Sequence, residues 1–272
     1  MTTYDRTSVT VGIILVGIIL LLVLEIPSRT FELDALGTPL TFDLTGTWLV
    51  STLLLGLACA GTEAIMRTHP QVRRHIIRHT FPNWILPGLT TLALVQFLPQ
   101  SPNLLYWLLG LVIGGGILAG LILAHYYLLS PSPDPIPQTR KLVQGSLDLV
   151  AYLLALIFFT IIYRTRLRSL VTATQVTIIA FLLALSILGT RTPTRWLYAG
   201  LIGLILGETT WALNYWRANV LTVGVLLMLL FYALVGIVQQ HLRSQLNRRT
   251  VLEYLGVVIL GIVIVIILGT RI

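Results

Sequence analysis

The chain has 272 residues, of which 56% are hydrophobic and 10% charged, and its mean hydropathy is +0.89. Soluble domains carry about 25% charged residues, so composition excludes a water-soluble globule and points to a polytopic membrane protein with lipid as its main solvent. The net charge of +8 sits in short loops between apolar runs, where basic residues set topology, and no nucleic-acid partner is expected.

In chain order, a short polar head with Arg6 precedes an apolar stretch, Val9–Ile26. No A-x-A-type cleavage site follows it, so it is expected as a retained first helix rather than a signal peptide. Pro27–Thr45 is expected as a loop and holds Glu32, Asp34 and Asp43. Gly46–Ile65 is the second helix, with Thr52, Gly56 and Ala60 forming a small-residue stripe. Arg67–Thr80 is the most basic loop. Trp84–Leu98 follows, a short segment with Pro87, Gly88 and Gln96, which either spans with a kink or is re-entrant.

Leu104–Leu129 contains Gly110-xxx-Gly114 and Gly116-xxx-Gly120, spacings that suit close helix contact in lipid. In 130–141, four prolines predict an extended connection and a division of the single membrane domain 1–272 into halves. Four further helices are predicted over Gln144–Tyr163, Leu170–Gly189, Trp196–Tyr215 and Val220–Val238. A basic loop and a last helix, Val251–Leu268, follow. The fold class expected is therefore all-α, a bundle of about nine transmembrane helices. With the N-terminus cytoplasmic, 12 of the 18 Lys and Arg fall on inner segments and 6 on outer ones; removing 84–98 as a span weakens the asymmetry to 10 against 8. The expected location is the plasma or inner membrane.

Within Trp196–Tyr215 lies Glu208, a carboxyl group at membrane depth, where insertion costs on the order of 2.5–3.5 kcal/mol at a helix centre. Leu204, Glu208, Trp211 and Tyr215 are spaced to share one face, with Asn214 off it. Glu208, Trp211, Asn214 and Tyr215 form the intramembrane polar candidate. Its readings are a proton or substrate site in a crevice, or a hydrogen bond that holds helices together. A second candidate is the set Arg67, Arg73, Arg74, Arg78, Arg243, Arg248 and Arg249, which suits anionic lipid headgroups or an acidic partner surface as well as plain topology.

Other chemistry is poorly supplied. His75 and His79 have metal-like spacing, but the neighbouring arginines repel a cation. His125 is the one histidine within a predicted helix, so haem ligation by two facing histidines is not expected, and neither a metal nor another cofactor is. Cys59 stands alone, with no partner for a disulfide. Glu63, Asp148 and Glu253 lie near helix ends and are expected to pair with Arg67, Lys141 or Arg249. The last two are placed in first turns, where an acid complements the helix N-terminus.

Glu32-Leu33-Asp34 is an acid-x-acid pair outside the first helix. It resembles the acidic pairs that polytopic lipid-linked-sugar glycosyltransferases carry in their first outer loop, a resemblance of two residues that implies a lipid-processing enzyme. The chain lacks the sizeable outer domain of that class. No hydrolase, zincin or nucleotide-binding motif is present. The leading expectation is a non-enzymatic accessory or assembly component of a larger membrane system, with other subunits and the bilayer as partners. A small secondary transporter using Glu208 and a lipid-processing enzyme using Glu32 and Asp34 are the alternatives.

Overall fold

The computed structural model describes residues 3–23, 29–35, 38–44, 46–73, 80–98, 103–129, 137–165, 169–189, 194–215 and 219–242, with isolated helical positions between 252 and 263. These form α1 (Thr3–Val23), β1 (Arg29–Ala35), β2 (Thr38–Leu44), α2 (Gly46–Met66), α3 (Pro70–Arg73), α4 (Pro82–Phe97), α5 (Leu104–Leu129), α6 (Pro137–Arg164), α7 (Ser169–Leu188), α8 (Arg195–Leu213) and α9 (Val220–Leu242). Seven of the helices (α1, α2 and α5 to α9) are long and apolar enough to cross a membrane, as a multi-pass protein requires. The last expected helix, Val251–Leu268, lies for the most part outside the described residues.

The first expected loop is instead an antiparallel hairpin, with Arg29 opposite Leu44 and Ala35 opposite Thr38. Apolar and polar residues alternate through Phe31-Glu32-Leu33-Asp34-Ala35, the period of a strand. The proline-rich connection also needs correcting. It was expected to stay extended to Lys141, but α6 begins at Pro137, because proline lacks only an N–H that a first helical residue leaves unused. In the same way α1 starts at Thr3 rather than Val9, and the Thr7 and Thr10 hydroxyls donate to the carbonyls of Thr3 and Arg6 inside it.

The chain divides into two compact units at Pro137–Gln138. In the first, α2 packs on α1 and α4, and α5 packs on α1 and α4. Ile14, Ile18, Leu54, Ala58, Leu118 and Ile122 are at the centre of its core. The α4 helix is buried over most of its surface. With 16 residues it is about 24 Å long, less than the roughly 30 Å of a hydrocarbon core. Pro87 stands inside it and has no N–H to offer the Asn83 carbonyl.

The α5 glycines divide by face. A Cβ on Gly114 would strike Leu94 of α4, and one on Gly115 would come within 2.8 Å of Leu15 of α1, whereas Gly116 and Gly120 have nothing within 4 Å. The close approach therefore uses Gly114 and Gly115, and the Gly116-xxx-Gly120 pair faces open space. Gly120→Ala is expected to leave the thermal midpoint of the purified protein unchanged or raise it, since alanine is worth about 0.8–1 kcal/mol over glycine in a helix. Gly114→Val is expected to lower it.

In the second unit, α7 and α8 form the most extensive helix pair among the described residues, and α9 packs on both. Phe231 of α9 sits against Phe159 and Tyr152 of α6 (ring centroids 6.1 and 5.9 Å). Gly189 ends α7 with φ +73°, the left-handed conformation that glycine adopts without steric cost. The buried Arg195 guanidinium donates to the Gly189 carbonyl and lies 5.7 Å from the Trp196 ring. A cation thus meets the orphan carbonyls at the C-terminal end of α7, where the helix dipole favours it.

Candidate functional site

The α8 helix has two apolar faces with different fates. Ala199, Ile202, Gly203, Leu206, Gly207 and Thr210 are buried. The two glycines let the α7 backbone close in. A Cβ on Gly203 would stand 2.7 Å from the Thr177 carbonyl oxygen, and one on Gly207 would strike the Thr177 hydroxyl and reach 3.2 Å from the Ala173 carbonyl. Small residues four apart allow this approach in lipid, where apolar burial alone does not drive helices together.

The opposite face carries Leu197, Leu201, Leu204, Glu208, Trp211 and Tyr215, all exposed. Leu204 keeps 54% and Trp211 56% of its surface. The spacing is four, three, four, three, four, which is the seam of a heptad repeat. Three residues of the intramembrane candidate, Glu208, Trp211 and Tyr215, therefore share a face as their spacing requires, and that face is unpacked.

Asn214 is separate from the other three. It is the C-cap of α8, its backbone N–H bonded to Thr210 O at 3.0 Å, and its side-chain Nδ2 is buried without a hydrogen-bond partner. The Tyr163 hydroxyl of α6 donates to the neighbouring Leu213 carbonyl at 3.1 Å. Glu208 lies five residues before Leu213, about 7.5 Å from the end of α8. It forms no hydrogen bond or ion pair among the described residues.

Glu63, near the end of α2, is a carboxylate with three bonded partners among the described residues. Its Oε1 pairs with Arg67 Nε at 2.7 Å. Its Oε2 accepts from Thr80 Oγ1 at 2.6 Å and from Trp84 Nε1 at 2.7 Å. The pairing with Arg67 follows from the i,i+4 spacing. The bonds to Thr80 and Trp84, at sequence separations of 17 and 21, depend on α4 packing against α2, and the sequence carries no signal for them beyond a tryptophan at a helix start. Next to this cluster, the buried Asn83 has an unpartnered Nδ2.

His69 follows α2 and is buried, its ring 4.9 Å from Tyr126 in an edge-on contact, and its Nδ1 accepts from the Gln71 N–H at 3.3 Å. An accepting Nδ1 requires neutral imidazole. Burial pushes the His69 pKa below its ordinary value. The unfolded chain therefore binds the proton more readily. The stability held by neutral His69 is complete above about pH 6.5 and falls as pH drops through the lower folded value. The thermal midpoint is expected to fall on acidification from pH 7.5 to pH 5, and to fall less in His69→Phe.

In the second unit, Tyr152, Tyr232 and Tyr254 form a run of rings, with centroids 5.3 Å apart for Tyr152–Tyr232 and 5.6 Å for Tyr232–Tyr254. Asp148 accepts from Gln144 Nε2 at 3.1 Å. It is not in a first turn as expected. Because α6 starts at Pro137, Asp148 is in the fourth turn, beyond the reach of the N-terminal dipole. His125 is likewise buried, with Nδ1 2.8 Å from Leu121 O.

Of the basic candidates, Arg67 is exposed and tied to Glu63, and Arg73 ends α3, exposed. Arg74, Arg78, Arg243, Arg248 and Arg249 lie outside the described residues, as do His75, His79 and Glu253. Glu32 and Asp34 occupy β1, opposite Thr41 and Pro39, and their side chains lie outside the described residues.

Residues 26–268 match a protein family, DUF5656, described as a protein of unknown function. The chain belongs to the DUF5656 family. The match runs from before β1 to beyond α9 and leaves α1 outside it. No curated protein and no solved structure matches this DUF5656 chain. Both the Glu63 cluster and the α8 seam fall within the family's span.

Proposed function

We propose that this DUF5656 protein is a non-enzymatic multi-pass membrane protein that serves as an accessory or assembly component of a larger membrane system. The outward seam of α8 carries the reading. It combines apolar side chains at heptad spacing with a carboxyl group, and lipid satisfies only the apolar part of that face. A transporter using Glu208 would need the carboxyl group to line a polar crevice. Its place among exposed leucines supports docking instead.

The proposed topology is nine crossings with a cytoplasmic N-terminus. The asymmetry of 12 basic residues against 6 supports it, with α4 and 251–268 as the two crossings beyond the seven long apolar helices. Reporter fusions at the two termini should then report opposite sides of the membrane. Arg67, Arg73 and the other basic residues of the inner loops are proposed to meet anionic lipid headgroups, so vesicle flotation should increase with anionic lipid content. No nucleic acid is involved in this reading. Purification from the native membrane in a gentle detergent, with mass measurement of the intact particle, tests the function. A discrete heteromeric particle supports it, and a lone chain or homodimer overturns it.

A further inference from the structure

The seam on α8 is specific enough to say what it receives. Resting on the assembly reading above, we propose that α8 docks a transmembrane helix of a different polypeptide, one that carries a lysine or arginine at the depth of Glu208. Residues 197, 201, 204, 208, 211 and 215 repeat every three and four positions and are all exposed. A row with that period fits knobs-into-holes contact with a helix better than with a sheet or loop.

The chemistry at its polar point is cationic. Glu208 offers a carboxylate and Trp211, one turn away, offers a π face, so one ammonium or guanidinium group can meet both. The stems of lysine and arginine are long and apolar enough to bring that charge to Glu208 from a neighbouring helix. A second copy of this chain fits less well. A symmetric pairing of α8 helices sets Glu208 against Glu208, and like charges repel strongly where water is scarce. The cations within the described spanning helices, Arg6, Arg140, Lys141, Arg164 and Arg195, all lie within the first five residues or at the last residue of a helix, so a second copy offers its cations from near helix ends.

The test places a photo-crosslinking amino acid at Leu204 in the full chain, expressed in its native membrane, with Glu208 intact or changed to Asp, Gln or Lys. The expected result is one adduct with a different polypeptide, joined within a helix turn of a lysine or arginine in a transmembrane segment. Its yield should persist in Glu208→Asp and fall at least about tenfold in Glu208→Gln. Glu208→Lys should lose the adduct and regain it when the partner's cation is changed to Glu. If Glu208→Lys does not accumulate, the Asp and Gln variants decide. An adduct with a second copy or within the chain overturns the inference. So does a heteromeric adduct of equal yield in Glu208→Gln, which leaves the assembly reading standing. Adducts to lipid alone, from a chain that purifies alone, overturn both.

Discussion

Gly203→Leu and Gly207→Leu are each expected to lower the thermal midpoint of the purified protein sharply, through loss of the α7–α8 pairing. The atoms in the way of a Cβ at Gly203 are the Thr177 carbonyl oxygen at 2.7 Å and the Phe181 Cβ at 3.2 Å. The first belongs to the backbone and cannot rotate aside. At Gly207 the Thr177 hydroxyl is in the way, and it is already committed to the Ala173 carbonyl at 2.9 Å. Side chains forced into such contacts typically cost about 1–3 kcal/mol each. The two sites share Thr177, so the double variant should show less than the sum of the singles. Gly200, in the same helix, has nothing within 4 Å, and Gly200→Ala is the control expected to be neutral or stabilising. Equal effects at all three positions would show that helix propensity, rather than close approach, governs this pair.

Glu63→Ala should be the most damaging single change in the first unit. It removes the acceptor of both the Thr80 hydroxyl and the Trp84 indole N–H, which are partly buried. Each orphaned donor costs about 1–3 kcal/mol, giving a loss of roughly 2–6 kcal/mol for the pair. The Arg67 contact adds little, because its side chain is 73% exposed and an exposed ion pair is weakly stabilising. Glu63→Gln keeps one carbonyl acceptor and should lose about half as much. Arg67→Ala should be nearly silent. Thermal unfolding followed by intrinsic tryptophan fluorescence reads all three. If Arg67→Ala matched Glu63→Ala, the ion pair rather than the α2–α4 bonds would be what holds this junction.

The helical character of the chain was legible because apolar runs of spanning length have one stable backbone solution in lipid, in which every N–H and C=O bonds within its own segment. The hairpin is also legible in the sequence. Its alternation through Phe31–Ala35 stands between two long apolar segments, whose stronger signal masks it. The start of α6 is hidden in the sequence for a different reason. Prolines at 131, 133, 135 and 137 look alike in a sequence, and only the one at a helix's first position is free to belong to it.

The sequence by itself determined which residues share a face. Helix geometry fixes Leu204, Glu208, Trp211 and Tyr215 as one stripe, and Gly203 and Gly207 as another, whatever surrounds them. Tertiary structure decided which stripe is packed. In lipid, apolar residues are content on either side of a helix, so hydrophobicity does not distinguish the packed face from the exposed one. Close approach does, and it went to the glycine face against α7 and left the face with Glu208 open. The same reasoning holds for Glu63. Its bond to Arg67 follows from spacing along one helix, but those to Thr80 and Trp84 exist only because α4 comes to rest beside α2.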